Sequence, residues 1–443
     1  MNVDWDYGAT PAVPDAGADF YQRGEFADQR IALSHLRSAL AGRRAIERCG
    51  VIGVWYAPAR DLTVIYRISS AGIADTILTV RFHGRGEGAA QHTVAAAAAS
   101  DADAVMLLRD WDAVGWIFPE DPKLKGLGHL VEAESIRNRL SGVADVSRAA
   151  GEMSWSLLNY RPGERCVVRC HWPEANVDLV GKVQPGATAS HRAMARLWSL
   201  PQRAFGMARP VTCEESLGMR WEAFAPGRRI EAVAAEIGLH AALQRVMPGL
   251  VGLHGTALPG LPGQGPLEIL QRLERKVMPR IRGGLPALAG AGESFVARLS
   301  AAAEALPPRS PTVIHGDLHT ANVLLSDDAV VLIDLDSLSR GDPAYDLALF
   351  GSRLLLVAAM GKASSAETEV AVAELPGLYV AAGGVEIPAQ VFAWYLAALL
   401  VGRQIKTCVR HLAPGMHGIA PLLLRRATDI LDAGRVEPGL SAG

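Results

Sequence analysis

The chain has 443 residues, 49% of them apolar, enough for two or three domains with sizeable cores. A net charge of -2 leaves no cation excess to neutralise phosphate backbones, which argues against a nucleic-acid binder. The five cysteines (Cys49, Cys166, Cys170, Cys213, Cys408) are odd in number and form no CxxC pair, so neither a disulfide framework nor a zinc site is expected. The opening MNVDWDYGATPAVPDAGADF is acidic and lacks the basic-then-apolar order of a secretory signal. The longest apolar stretch, near Val391 to Gly402, is too short to span a bilayer. A soluble cytoplasmic protein without membrane contact is expected.

Residues 1 to 25, rich in Asp, Gly, Ala and Pro, read as a flexible tail. An amphipathic helix is predicted around Ile31 to Arg48, then strands at Val51 to Tyr56, Leu62 to Ile68 and Asp75 to Phe82. A helix at Gly88 to Ala99, strands at Ala104 to Leu108 and Ala113 to Phe118, and a helix near Val131 to Leu140 complete this part. The theme then repeats. Strands at Trp155 to Tyr160, Cys166 to His171 and Val177 to Val183 precede a helix at Ala187 to Ser199, and strands near Val211 to Cys213 and Met219 to Phe224 follow. Beyond Pro226-Gly227 the pattern turns helical: Ile230 to His254, Pro266 to Arg282, Glu293 to Leu306, and again from Tyr345 to the end.

The repetition reaches individual residues. YAPARDLTVIYRI from Tyr56 parallels YRPGERCVVRCHW from Tyr160, and Arg81 falls where Lys182 falls at nearly the same offset. A duplicated β-rich unit, with residues 50 to 119 a degenerate copy, explains this better than coincidence. The two copies should then share one strand order.

Residues 311 to 348, PTVIHGDLHTANVLLSDDAVVLIDLDSLSRGDPAYDLA, interrupt the helices. Val313 and Ile314 lead in as a short strand and Gly316 to Ala321 form a loop. Val323 to Leu325 and Val330 to Ile333 make a hairpin about the turn Ser326-Asp327-Asp328. Counting from that turn, Asn322 lands opposite Leu332 or Ile333, beside Asp334, with Asp317 on the adjoining loop. Such a gathering at the mouth of an apolar hairpin suits a divalent cation and a proton acceptor. Asp342 and Asp346 fit better as caps and ties for the following helix.

HGDLHTAN and LIDLDSLSRGDPAYDLA resemble the catalytic core of the aminoglycoside phosphotransferase and choline kinase-like family. The resemblance covers roughly residues 153 to 443. It implies a protein-kinase-like two-lobed α+β fold, with a β-rich N-lobe (151–228) and a helical catalytic C-lobe (229–443), preceded by an extra α/β N-terminal domain (26–150). Carried over position by position, Asp317 is the catalytic residue, and His315 joins it by bracing the loop. Asn322 and Asp334 hold the metal, with Asp336 a rival of poorer spacing, and Lys182 steadies the nucleotide phosphates. The implied cofactors are ATP and Mg2+, and the implied partner is a small-molecule hydroxyl acceptor. The turn Arg161 to Arg165 would cover the phosphates, and backbone groups of Glu222, Ala223 and Phe224 would meet the adenine.

One departure from the family pattern stands out. The strand lysine of kinases usually pairs with a helix glutamate, yet residues 183 to 213 contain no Asp or Glu. Glu214, Glu215 or a group from the N-terminal domain is expected to substitute. A nucleotide-binding pseudoenzyme therefore stays open beside the small-molecule kinase. Phosphorylation of a protein is the weakest reading, because no activation segment separates Asp334 from GDPAYD. From Val391 the chain is net basic, with Arg403, Lys406, Arg410 and His411 at helical spacings. A sugar, nucleoside or carboxylated acceptor fits that charge better than a polycationic aminoglycoside, although charges on the back of a helix would give the same pattern. Trp394 and Tyr395 are either ring-stacking platforms or core aromatics. Choice of ATP or GTP, oligomeric state and the role of the N-terminal domain, for which capping the acceptor cleft is one reading, stay open at this level.

Overall fold

A computed structural model describes residues 25–42, 44–58, 60–143, 146, 152–201, 204–326, 329–411 and 415–437. The tail expected over residues 1 to 25 lies, apart from Glu25, outside the described residues, as do Asp327 and Asp328 of the hairpin turn and the boundary expected near 150. A helix Gln29–Ala39 comes first, its N-terminus capped by the Asp28 carboxylate, which accepts from the amides of Arg30 and Ile31. It is shorter than the span Ile31 to Arg48 predicts. Gly42 in a left-handed conformation turns the chain just after it, and Arg48 already opens a strand.

The first sheet contains β1 (Arg48–Ala57), β2 (Asp61–Ser70), β3 (Ile73–Phe82), β4 (Val105–Leu108) and β5 (Ala113–Ile117). They are ordered β1-β2-β3-β5-β4 and antiparallel throughout, with helix Gly88–Ala98 between β3 and β4. The second sheet contains β6 (Ser154–Arg161), β7 (Arg165–Trp172) and β8 (Val177–Val183). After helix Ala187–Trp198 a two-residue strand, β9 (Gly206–Met207), leaves for another sheet, and β10 (Pro210–Glu214) and β11 (Met219–Ala223) complete the second. Its order is β6-β7-β8-β11-β10, again wholly antiparallel. The strand order of the first sheet is thus repeated, helix included.

Short strands organise the rest: β12 (Arg228–Arg229), β13 (Gly263–Gln264), β14 (Thr312–Ile314), β15 (Val323–Leu325), β16 (Val330–Leu332) and β17 (Ser339–Gly341). The hairpin β15–β16 carries β12 and β9 on its two edges, while β14 pairs with β17. Helices surround these pieces. The helix predicted over Ile230 to His254 is two, Ile230–Ile237 and Leu239–His254, because Gly238 takes a positive φ of 85° that ends the first. Helix Pro343–Ala359 is buried along most of its length and forms the spine of the helical part. Trp394 and Tyr395 are also buried, and the Trp394 indole donates to Leu299 O, so both are core residues.

The first sheet does not stand apart from the rest. Pro58, after β1, packs against Gly283 and Gly284; a Cβ on Gly283 would fall 2.5 Å from Pro58 Cβ. The Trp55 ring meets His411 edge-on at 5.9 Å. Residues Leu124, Leu127 and Leu130 share a core with Val168, Val183 and Trp221 of the second sheet. A polar relay also joins the sheets: Trp116 donates to the Tyr160 hydroxyl (3.0 Å), and that hydroxyl donates to Asp121 (2.9 Å). No helix among the described residues is long and apolar enough to cross a membrane.

Candidate active site

Gly316 opens the loop between β14 and β15. Its φ is 75°, and a Cβ there would lie 2.2 Å from Ser337 O, so only glycine allows the loop to pass the chain after Asp334 this closely. Asp346 ties the loop down from the spine helix. Its carboxylate accepts from His315 N (2.6 Å) and Gly316 N (2.9 Å) and pairs with His254 (3.1 Å). Asp342 caps the same helix by accepting from Ala344 N. Both aspartates therefore do the capping and tying expected of them. His315 is fully buried; its Nε2 donates to Ile333 O (3.0 Å), which leaves Nδ1 to accept from Asp317 N (3.4 Å). It is a positioning residue that links the loop to the end of β16, as the bracing reading expects.

Register places the other members. Val323 pairs with Leu332, and Ile333 N donates to Asn322 O at 3.0 Å, so Asn322 and Ile333 are the next ladder position and Asp334 follows directly. Asp334 sits at φ 59°, a left-handed conformation rare for a residue with a side chain and concentrated at functional sites. Asn322 donates its Nδ2 to Asp317 O (2.9 Å), which leaves the amide oxygen as its uncommitted end.

Lys182, second from last on β8, reaches across to this hairpin. Its ammonium lies 3.0 Å from Asp334 Oδ1, 3.0 Å from Glu222 Oε1 and 3.9 Å from Asp336. Arg165, first on β7, holds the other Asp334 oxygen at 3.0 Å. Arg220 lies behind, bound to Glu222 (2.6 Å) and to Asp336. Three cations and three carboxylates thus close one buried network, which lets each stay charged away from water. Burial pulls the Lys182 ammonium down, but Glu222 and Asp334 outweigh it and its pKa ends above the usual value. Burial pushes Asp334 up, yet Lys182 and Arg165 hold its carboxyl well below the ordinary range. Asp336 ends raised, chiefly by burial.

The partner of Lys182 corrects the expectation. Glu214 binds Arg139 and Glu215 faces Arg192, so neither reaches the lysine. The carboxylate comes instead from Glu222 on β11, which neighbours β8 and pairs with Val180, two residues from Lys182. The period-two alternation of strands puts both side chains on one face. That juxtaposition needs strand pairing, which a search along the helix for an acid cannot find. The hinge reading changes with it. Glu222 is 4% exposed and anchors the lysine, while Ala223 N and Phe224 N donate to Arg209 O (2.8 Å) and Asp178 O (2.9 Å). Neither amide is left to donate to a base. The Phe224 ring is half-exposed and carries the Arg169 guanidinium 3.9 Å from its centroid.

Asp317 faces a further cation, Arg403 of the basic C-terminal stretch. Arg403 Nη2 lies 3.1 Å from Asp317 Oδ1 and donates to Gly316 O (3.0 Å). Burial raises Asp317, but Arg403 and His319 pull it below the usual carboxylate value. His319 is itself pushed down to about 3, mainly by burial, and its Nδ1 has no hydrogen-bond partner among the described residues.

The oxygen donors Asn322 and Asp334 suit a hard divalent cation. Asp334 is held ionised, and its oxygens are now on Lys182 and Arg165, two cations that phosphate oxygens would engage once a nucleotide arrives. The residues therefore fit the metal that the hairpin implies.

Residues 178–370 match the model of the phosphotransferase enzyme family, APH. No curated protein matches the chain. A choline/ethanolamine kinase family protein from Mesorhizobium loti is similar in structure at 16% identity and TM-score 0.48, over 69% of this chain and 99% of that one. A described aminoglycoside phosphotransferase from Ralstonia eutropha gives 16% identity and TM-score 0.46, over 68% and 97%. An ethanolamine kinase from Plasmodium vivax gives 11% and 0.46, over 68% and 90%. The stretch that matches this family, residues 178–370, carries Lys182, Asp317, Asn322 and Asp334.

Proposed function

We propose that the protein transfers the γ-phosphoryl group of ATP, with Mg2+, to a hydroxyl of a small molecule. The observation that carries this reading is the convergence of Lys182, Arg165, Asn322 and Asp334 beside Asp317. Phosphoryl transfer asks a protein for in-line placement and charge neutralisation more than for covalent work. Lys182 and Arg165 bind nucleotide phosphates from the second sheet, and the turn between β6 and β7 covers them. Its Gly163 amide is anchored on Asp121 (2.8 Å). Asn322 and Asp334 would hold the cation, which when bound neutralises charge on the transferred group. Asp317, kept ionised, orients the acceptor hydroxyl and takes up its proton. Its lowered pKa makes it a weak base, which suits a loose transition state in which the proton leaves late. An adenine would meet the carbonyl side of the segment from Glu222 to Phe224, because the two amides there are engaged.

The pseudoenzyme reading rested on a lysine without a carboxylate, and Glu222 removes that support. The test is magnesium-dependent ATP consumption against sugars, nucleosides and aminoglycosides, with Asp317→Ala alongside. Turnover on one acceptor class should fall by about 10²–10⁴ in the variant while ATP still binds. Full turnover in Asp317→Ala, or ATP binding with no consumption on any acceptor, defeats the proposal.

A further inference from the structure

Beyond Asp317 lie cations other than those on Asp334. Helix Ala389–Leu399 continues through a π-helical turn, Leu400–Ile405, into helix Lys406–His411. Wide turns of this kind are frequent at functional sites. At one end Arg403 holds Asp317 (3.1 Å); at the other Arg410 holds Glu164 (2.6 Å) in the turn between β6 and β7. Seven residues of helix rise about 10 Å, so this segment bridges the catalytic loop and that turn. Lys406 lies between the two anchors. Arg161 ends β6 at the foot of the turn that Arg410 holds, with Arg410, Glu164 and Asp317 among the charges that act on it.

Neither the Lys406 nor the Arg161 side chain makes a hydrogen bond or ion pair among the described residues. Arg280 adds positive charge nearby, and the neighbouring carboxylates, Asp317 and Glu164, are already matched by Arg403 and Arg410. Burial and then Arg403, Arg280 and Arg410 pull Lys406 down to about 8; burial, Arg165 and Arg410 pull Arg161 down to about 10. Cations half-removed from water and crowded by like charge are stabilised by an anion that binds between them.

We propose, building on the phosphotransferase reading, that the acceptor is itself an anion: a hydroxylated small molecule whose carboxylate or phosphate is held between Lys406 and Arg161 while its hydroxyl meets Asp317. The acceptor oxygen bonds to the γ-phosphorus, the bond to the bridging oxygen of the departing ADP breaks, and the hydroxyl proton passes to the Asp317 carboxylate. A polycationic acceptor is repelled from the same space.

The full-length protein with magnesium and ATP is assayed on matched trios: glycerol, glycerate and glycerol phosphate; glucose, gluconate and glucose 6-phosphate. One anionic member of a trio should exceed its neutral parent by about tenfold or more in kcat/KM, and which one separates a carboxylate from a phosphate site. Lys406→Met should raise the acceptor KM by about tenfold while the ATP KM stays within about twofold, and Arg161→Gln, on a different element, should also raise the acceptor KM by about tenfold. Lys406→Arg should restore the acceptor KM. It should also abolish a rise in acceptor KM above about pH 8, where Lys406, facing Arg403, Arg280, Arg410 and Glu164, loses its charge. Preference for the neutral members, or a rise in ATP KM instead of acceptor KM, overturns the anionic acceptor and leaves phosphotransfer standing. No turnover on any member overturns both.

Discussion

The two five-stranded sheets have the same strand order, and each sets a cation second from last on its third strand, yet of the two it is Lys182 that meets Asp334. Lys182 lies between Val167 and Arg220 in register, and the hairpin β15–β16 stands before it with Asp334. Arg81 lies between Thr63 and Val114. Its Nε donates to Thr63 Oγ1 (3.1 Å), and its guanidinium rests 5.0 Å from the Trp116 ring centroid. The difference teaches that sheet topology can present a positive charge at a chosen place, while the partner brought opposite decides what the charge does. This fits the proposal that the N-terminal segment is a degenerate copy of the nucleotide lobe, retained as a buttress. Asp121, just past the end of the first copy, accepts from Tyr160 and from Gly163 N in the turn over the second copy's cleft.

Paired substitutions test that contrast most strongly. Lys182→Met should cut kcat/KM by on the order of 10²–10³, whereas Arg81→Met should leave it unchanged. Equal losses in the two variants would erase the distinction. Glu222→Ala leaves Lys182 and Arg220 short of a carboxylate in a buried network and should cost about 3 kcal/mol, read by urea unfolding, together with a higher ATP KM. An unchanged midpoint and KM would mean that the lysine finds its anchor elsewhere.

The proton relation is equally specific. Because Arg403 holds Asp317 below its usual value, the residue is ionised across pH 5 to 8 and contributes no acid limb there. Arg403→Met removes that influence, so the Asp317 pKa rises and activity should begin to fall at a higher pH as the solution is acidified. A pH profile identical to that of the unaltered protein would show that Arg403 does not set this charge. Asp121→Ala strips the acceptor from Tyr160 and from Gly163 N; it should cost about 1–2 kcal/mol and raise the ATP KM a few-fold, by loosening the turn. The smallest effect is that of Arg81→Met on stability, below about 1 kcal/mol in thermal melts.

Much of the site could be read before any fold was known, because the hairpin is local. Asn322, Ile333 and Asp334 are placed by counting outward from one turn, and Asp342 and Asp346 by their distance from a helix start. The carboxylate partner of Lys182 could not be read this way. Glu222 is separated from it by a helix and two strands and reaches it only when β11 lies beside β8. Arg403 is further still from Asp317 along the chain, and a charged residue at helical spacing looks the same whether it faces water or a catalytic loop. The short strands β9, β12, β13 and β17 escaped for a related reason: two or three residues carry no periodicity, and their partners are distant.

The amino-acid order alone therefore determined the alternation of strands and helices, the repeated β-rich unit and the hairpin with its acids, because these depend on spacing within a few residues. Only the tertiary structure decided which carboxylate neutralises Lys182 and which arginine faces Asp317. Those are contacts between segments far apart in the chain, and burial sets their strength.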